Sequence, residues 1–256
     1  MTTPLSDVGE LGTILGVWAH PDDEAYLSAG LMAAARDRGS RVVCVTATRG
    51  EHGTPDPGTW PPERLAEERT RELARCLAVL GVTEHHWLPY RDGTCAAVPT
   101  ADAVARLCAV IEEVEPDTVL TFGPDGITGH PDHQAVSAWT AAAFDRVAPA
   151  GARLLQAAFP EQRVARWRDL DSDLGVYLPG YPIVVPAERL VVDLQLPPDL
   201  AERKVRALAA QETQTAGLIS ALGLDRYTAW VGEEGFVERP RPPVVAAAEV
   251  ARAGTG

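Results

Sequence analysis

Basic residues are in short supply in this chain. Lys and Arg number 23 against 36 Asp and Glu, a formal net charge of −13 over 256 residues. So acidic a balance argues against a nucleic-acid groove or an anionic membrane surface as the main partner. Cysteine is sparse as well, and Cys44, Cys76, Cys95 and Cys108 form no C-x-x-C pair. Cys44 lies in an apolar strand-like run, and Cys76 and Cys108 in helical patterns, which suits reduced packing residues without structural disulfides. The first twelve residues include Asp7 and Glu10 but no Lys or Arg, unlike the basic start of a secretory signal. The longest early apolar run, Ile14 to Ala19, is far too short to span a bilayer. A cytoplasmic protein without membrane insertion is expected.

What is present reads as an ordinary globular chain, 46% hydrophobic and 23% charged. The length suits one α/β domain with a sizeable core. Residues 13–19 (TILGVWA), 41–47 (RVVCVTA) and 117–122 (DTVLTF) predict buried strands, and 84–88 a shorter one. Helices are expected over 24–38, closed by Gly39, over 63–80, closed by Gly81, and over 100–115 and 132–147. Strand alternating with helix implies βαβ crossovers and a mainly parallel sheet. The Gly- and Pro-rich stretches 48–62 and 123–131 must be loops. Beyond Ala150 the pattern is less regular: strand-like 152–157 and 183–185, then a helix over about 200–220. A single domain over 1–256 is expected, with a core at about 13–150, a C-terminal elaboration at about 151–238, and a partly disordered tail at 239–256.

In an open parallel sheet, ligands bind at the carboxyl ends of the strands. A nucleotide-binding fold would place Gly-x-Gly-x-x-Gly after the first strand; this chain has His20-Pro21-Asp22-Asp23-Glu24 there instead. A related motif, Gly129-His130-Pro131-Asp132-His133, follows the strand at 117–122. His20 and Asp23, three apart at a helix entry, can turn toward one point. His130 or His133 would complete two imidazoles and a carboxylate, a set that leaves an open position for water as in catalytic zinc sites.

Together these motifs resemble the LmbE/PIG-L family of metal-dependent de-N-acetylases, and the resemblance runs from about Ile14 to Ala143. Thr48-Arg49-Gly50-Glu51, Arg69 with Glu72, and Arg91-Asp92-Gly93 reinforce it; later, only Lys204, Gln214 and Glu234-Gly235-Phe236 match. The resemblance implies a Rossmann-like three-layer α/β fold with a mainly parallel sheet and an elaborated C-terminal half. It implies metal ligation by His20, Asp23 and His133, with Asp22 as general base and His130 as a second catalytic group. Asp92 takes the place of a contact to sugar hydroxyls, and Arg69 that of a residue near the substrate. Glu51, in the loop after the second strand, is a further candidate substrate contact. The implied cofactor is Zn2+, with Fe2+ or another divalent metal as alternatives. Some relatives have a tyrosine just before the second motif; here Ile127 and Thr128 precede Gly129, so another ring, such as Tyr90, would have to reach the site.

The chemistry of the residues agrees. An amide is a poor electrophile, so its hydrolysis needs an activated water, a base and stabilisation of the oxyanion. The expected reaction is removal of an N-acetyl or other acyl group from an N-acetylglucosamine-type sugar or glycoconjugate. Alternatives on the same scaffold are a thiol-conjugate amidase, an antibiotic-sugar deacylase, or a silent metal- or sugar-binding protein. The expected partner is a small molecule, with no nucleic acid, and homo-oligomer formation is open. Trp60 is the best candidate for a ring against a sugar, and 48–62 and 177–186 for a substrate lid.

Overall fold

The computed structural model describes residues 5–54 and 56–241. A 3-10 turn, Leu5–Leu11, leads into β1 (Ile14–Trp18), α1 (Asp23–Asp37), β2 (Val42–Thr46), α2 (Pro62–Leu80) and β3 (Glu84–Trp87). Next come α3 (Thr100–Val114), β4 (Thr118–Phe122), α4 (Pro131–Val147), β5 (Arg153–Ala157) and α5 (Glu161–Leu174). The chain continues through β6 (Leu190–Gln195), α6 (Pro198–Ala209), α7 (Glu212–Leu222), α8 (Leu224–Val231) and β7 (Glu233–Arg239).

The seven strands form one sheet in the order β3-β2-β1-β4-β5-β7-β6. The first five are parallel, and β7 runs antiparallel between β5 and β6. β1, β2 and β4 are buried along their whole length, as strands covered by helices on both faces must be. β6 alternates buried with more exposed positions, the mark of a strand near the sheet edge with one packed face. Trp18 at the end of β1 meets Phe122 at the end of β4 edge to face, centroids 5.2 Å apart, a favoured aromatic geometry. Phe122 carries this contact to the carboxyl edge of the sheet, where it lines the cavity and stacks on His133. The α/β fold with its mainly parallel sheet therefore stands as the sequence predicts.

The C-terminal half departs from expectation. The helix over 200–220 is two helices, α6 and α7, broken at Ala210–Gln211, where the Gln211 side chain turns inward to Glu24 (2.7 Å). Val185 forms only an isolated bridge with Pro160, so 183–185 is not a strand. α5, α8, β6 and β7 lie outside the elements expected from the sequence. Most of the tail, 242–256, lies outside the described residues.

One buried ion pair ties this half to the helix that carries Asp23. Lys204 of α6, the only lysine in the sequence, is fully buried and donates to Glu234 of β7 (2.8 Å) and to the Tyr26 carbonyl of α1 (2.7 Å). Glu234 also accepts from the Gly30 and Leu31 amides (2.7 and 2.8 Å). The pair thus reaches into the backbone of α1, the kind of insertion that fixes a helix's path. Gly30 also makes room for Leu196: a Cβ there would lie 2.3 Å from Leu196 Cδ2.

Candidate active site

β1 lies between β2 and β4, so the crossovers leaving it and β4 diverge at their carboxyl ends. That divergence is the switch point where open α/β sheets bind ligands. Both motifs sit there: residues 19–23 follow β1, and the loop from Gly123 to His130 follows β4 and caps α4. Here they bound a cavity of about 510 Å³ that includes His20, Asp22, Asp23, Arg69, Asp92, His130 and His133 in its lining.

The imidazoles of His20 and His133 face each other, Nδ1 of the first 3.1 Å from Nε2 of the second. Asp23 straddles them, with Oδ2 3.6 Å from His20 Nδ1 and Oδ1 3.4 Å from His133 Nε2. The other nitrogen of each ring has its own acceptor. His20 Nε2 meets Asp92 Oδ1 at 3.1 Å and Asp132 Oδ2 at 3.3 Å. His133 Nδ1 meets the Gly126 carbonyl at 3.0 Å, and its ring stacks on Phe122 (4.3 Å, 13°). Donation at those outer nitrogens leaves lone pairs on the two inner ones, facing each other beside a carboxylate. Such an arrangement requires a proton or a cation between them. Tetrahedral coordination at roughly 2.1 Å would set ligand atoms about 3.4 Å apart, close to the spacings found, so the residues fit a divalent metal. Carboxylates behind a ligand imidazole fix its tautomer and raise its basicity.

Two other sets crowd the same place. Single donor atoms of His20, His130 and His133 lie within 4.8 Å of one another, as do those of His20, Asp92 and Asp132. The latter set is better read as the hydrogen bonds of His20 Nε2, since each carboxylate also accepts a backbone amide. Asp92 accepts from His52 (2.9 Å) and Asp132 from Gly93 and Cys95 (2.8 and 3.0 Å). Burial pushes the His20 imidazole down, but Asp132, Asp92 and Asp23 outweigh it and lift its pKa to about 10. His133, with less compensation for burial, falls to about 4.

Asp22 occupies an unusual backbone conformation, φ 109°, which an L-residue adopts only when its surroundings impose it. Here Glu24 accepts the Asp22 amide (3.0 Å), and Arg69 donates to Asp22 Oδ2 (3.1 Å) and to the Pro21 carbonyl. Arg69 comes from α2, is buried, and also donates to the Gly50 carbonyl (2.8 Å). Gly50, at φ 64°, has room for that guanidinium only because it lacks a Cβ. Burial pushes the Asp22 carboxyl up and Arg69 pulls it back, leaving it at about 7. Glu24, fully buried among Asp22, Gln211 and Cys76, rises to about 8, chiefly through burial.

His130 is the N-cap of α4, and its Nδ1 accepts the Asp132 amide (3.2 Å). Burial and the neighbouring His20 lower its pKa. With Nδ1 accepting, the ring's N–H donor is Nε2. The substrate-contact candidates divide. Arg69 and Asp92 line the cavity, though most of their polar atoms are engaged by the protein. Glu51 does not line it: its Oε1 accepts the Asp92 amide (3.2 Å), and its side chain lines a neighbouring concavity with Tyr90 and Arg91. Tyr90 lies in that concavity too, so the tyrosine and tryptophan rings that reach the main cavity are Tyr26, Tyr177 and Trp230, beside Phe122 and Phe159. Trp60 packs against Arg64 instead (4.8 Å). Of the two lid candidates, 48–62 contributes His52 and Gly53 to the cavity, and 177–186 contributes Tyr177. Arg163 also lines it, and no sequence motif marks it.

The family described as GlcNAc-PI de-N-acetylase (PIG-L) matches residues 15–144. Over 234 residues, 80% of each chain, this protein is 33% identical to a 1D-myo-inositol 2-acetamido-2-deoxy-alpha-D-glucopyranoside deacetylase of Acidothermus cellulolyticus. This chain belongs to the PIG-L (LmbE-like) family. The deacetylase of the same name from Kineococcus radiotolerans is 37% identical over 177 residues, 58% of this chain but 49% of that one. The matched part of this chain thus spans about half the length of that relative. Among solved structures, the N,N'-diacetylchitobiose deacetylase of Pyrococcus horikoshii superimposes with a TM-score of 0.63 at 21% identity, over 92% of this chain and 87% of that one, and so shares the fold. Among the described residues, no helix is long and apolar enough to cross a membrane.

Proposed function

We propose that this protein is a divalent-metal-dependent hydrolase that removes the acetyl group from an N-acetylglucosamine-type sugar conjugate, with zinc as the first metal to test. The observation that carries this reading is the pair of imidazole nitrogens 3.1 Å apart beside Asp23, with Asp22 and His130 on the same cavity. His20, Asp23 and His133 would hold the metal, which when bound lowers the pKa of a water toward about 7 and polarises a carbonyl oxygen.

Asp22 is placed to take the proton of the attacking water. A base works best when its pKa lies near the working pH; in the metal-free protein burial against the pull of Arg69 leaves Asp22 at about 7, and a cation held beside it by Asp23 would favour the carboxylate further. Its imposed backbone and its bond to Arg69 fix the carboxylate before substrate arrives, so little reorganisation is left for the reaction itself. His130 Nε2–H is a donor suited to the amide oxygen as negative charge develops there. The proton taken by Asp22 then passes to the departing nitrogen, giving a free amine and acetate. Asp92 lines the cavity with lone pairs to spare beyond His20 and His52, enough to accept a sugar hydroxyl. Arg69 acts by holding Asp22.

The test is acetate and free-amine release from a panel of N-acetylglucosamine conjugates, using chelator-treated protein with and without added Zn2+. Turnover is expected only with metal. Asp22→Asn should retain metal and lose about 10²- to 10⁴-fold in rate. Absence of release from every acetamide under every metal condition would overturn the reading.

A further inference from the structure

The same cavity contains a charge that the proposed chemistry does not use. Arg163, in the first turn of α5, is 7% exposed and lines the cavity. Its guanidinium lies over the Phe159 ring, 3.7 Å from the centroid. Among the described residues it forms no salt bridge. Its side-chain hydrogen bond there is a long one, Nη1 to the Tyr177 hydroxyl at 3.5 Å, and its buried Nε has no partner. Asp171, buried on the same helix, feels the Arg163 charge but lies beyond ion-pair distance: its Oδ1 accepts from Trp230 Nε1 (2.8 Å) and its Oδ2 is unpartnered. Lys204, also nearby, is neutralised by Glu234.

A buried guanidinium without a direct ion pair is expensive, because its desolvation is only partly repaid. Over that ring, it still carries N–H groups without protein acceptors, in the planar fork that matches the two oxygens of a carboxylate or phosphate. Around it the wall is apolar, formed by Phe159, Val176, Tyr177, Leu218, Trp230 and Val231. We infer that Arg163 is a specificity-determining residue. It receives an oxyanion, carboxylate or phosphate, on the aglycone of the substrate, whose apolar part lies against the wall. This inference rests on the sugar-deacetylase reading for the rest of the cavity, but binding can be measured without turnover.

The probes are phenyl, 4-carboxyphenyl and 4-phosphonooxyphenyl glycosides of N-acetylglucosamine. Affinity is read from tryptophan fluorescence, since Trp230 lines the cavity, and acetate release is followed in parallel. One or both acidic glycosides should bind about 10- to 100-fold more tightly than the phenyl glycoside, the worth of a hydrogen bond to a charged group. Which of the two gains more separates carboxylate from phosphate. Arg163→Gln should erase that gain while keeping phenyl glycoside affinity, which also shows that the variant is folded; Arg163→Lys should restore part of it. Equal affinity for all three glycosides, or an equal loss for all three in Arg163→Gln, would overturn the inference. Discrimination without acetate release would remove the deacetylase reading and leave the subsite. Acetate release without discrimination would do the reverse.

Discussion

Asp132 is fully buried and serves both loops of the site at once. Oδ1 accepts the Cys95 amide at 3.0 Å, while Oδ2 accepts the Gly93 amide at 2.8 Å and faces His20 Nε2 at 3.3 Å. Asp132→Asn keeps the shape but turns one acceptor into a donor. If the amide oxygen stays with Gly93 and His20, its NH2 meets the Cys95 N–H; if it flips, the NH2 meets the other two donors. At least one buried donor loses its partner either way, a destabilisation of about 1–3 kcal/mol. His20 also loses a carboxylate behind its ring, a change that lowers metal affinity by about 10- to 100-fold. Asp92, still 3.1 Å from the same nitrogen, should hold the effect toward the lower end. The assays are urea unfolding of chelator-treated protein and Zn2+ titration against a competing dye. A variant with wild-type urea midpoint and wild-type Zn2+ affinity would refute the claim that this carboxylate fixes both the loop and the ring.

Other expectations follow from the same geometry. Asp22, at about 7 in the metal-free protein, is active as the carboxylate and a bound cation lowers it, so kcat/KM should rise with pH to a limb below 7; Arg69→Met removes a pull that lowers this pKa, so the limb should move to higher pH. The folded metal-free protein holds the His20 proton more tightly than the unfolded chain, about 10 against an ordinary 6.5. This contribution to stability is therefore full below about 6.5 and is lost as pH rises through 10, which urea midpoints across that range would register. Metal must displace the same proton, so Zn2+ affinity should climb by roughly tenfold per pH unit between about 7 and 9, with proton release seen by calorimetry in buffers of different ionisation enthalpy. Lys204→Met leaves Glu234 charged and buried without its cation, and urea unfolding should show a loss of about 3–5 kcal/mol; a loss below about 1 kcal/mol would contradict the anchoring role given to the pair.

The parts of the fold legible in the sequence were those with a local signature. β1, β2 and β4 are short apolar runs because both their faces are covered, and α2 announces itself by its periodicity and by Gly81 in the left-handed region. β6 and β7 were not legible as elements: β7 mixes Glu233, Glu234, Glu238 and Arg239 with two apolar residues, and its charges read as loop. Buried Glu234 makes sense only once Lys204, thirty residues earlier, is brought to it. The break at Gln211 was hidden likewise, since its cause is Glu24 in α1.

The candidate site divides along the same line. The sequence by itself determined the chemistry available, because imidazoles and carboxylates at two strand ends make a candidate cation site wherever a parallel sheet brings those ends together. Tertiary structure decided which nitrogen of each histidine faces inward, because the answer lies in the acceptor behind each ring: Asp92 and Asp132 for His20, the Gly126 carbonyl for His133. It also turned Glu51 away from the cavity, set His130 Nδ1 against the Asp132 amide, and brought Arg163 and Trp230 in from the C-terminal half. Each of these depends on desolvation and on contacts between residues far apart in the chain, quantities that exist only once the chain has closed around them.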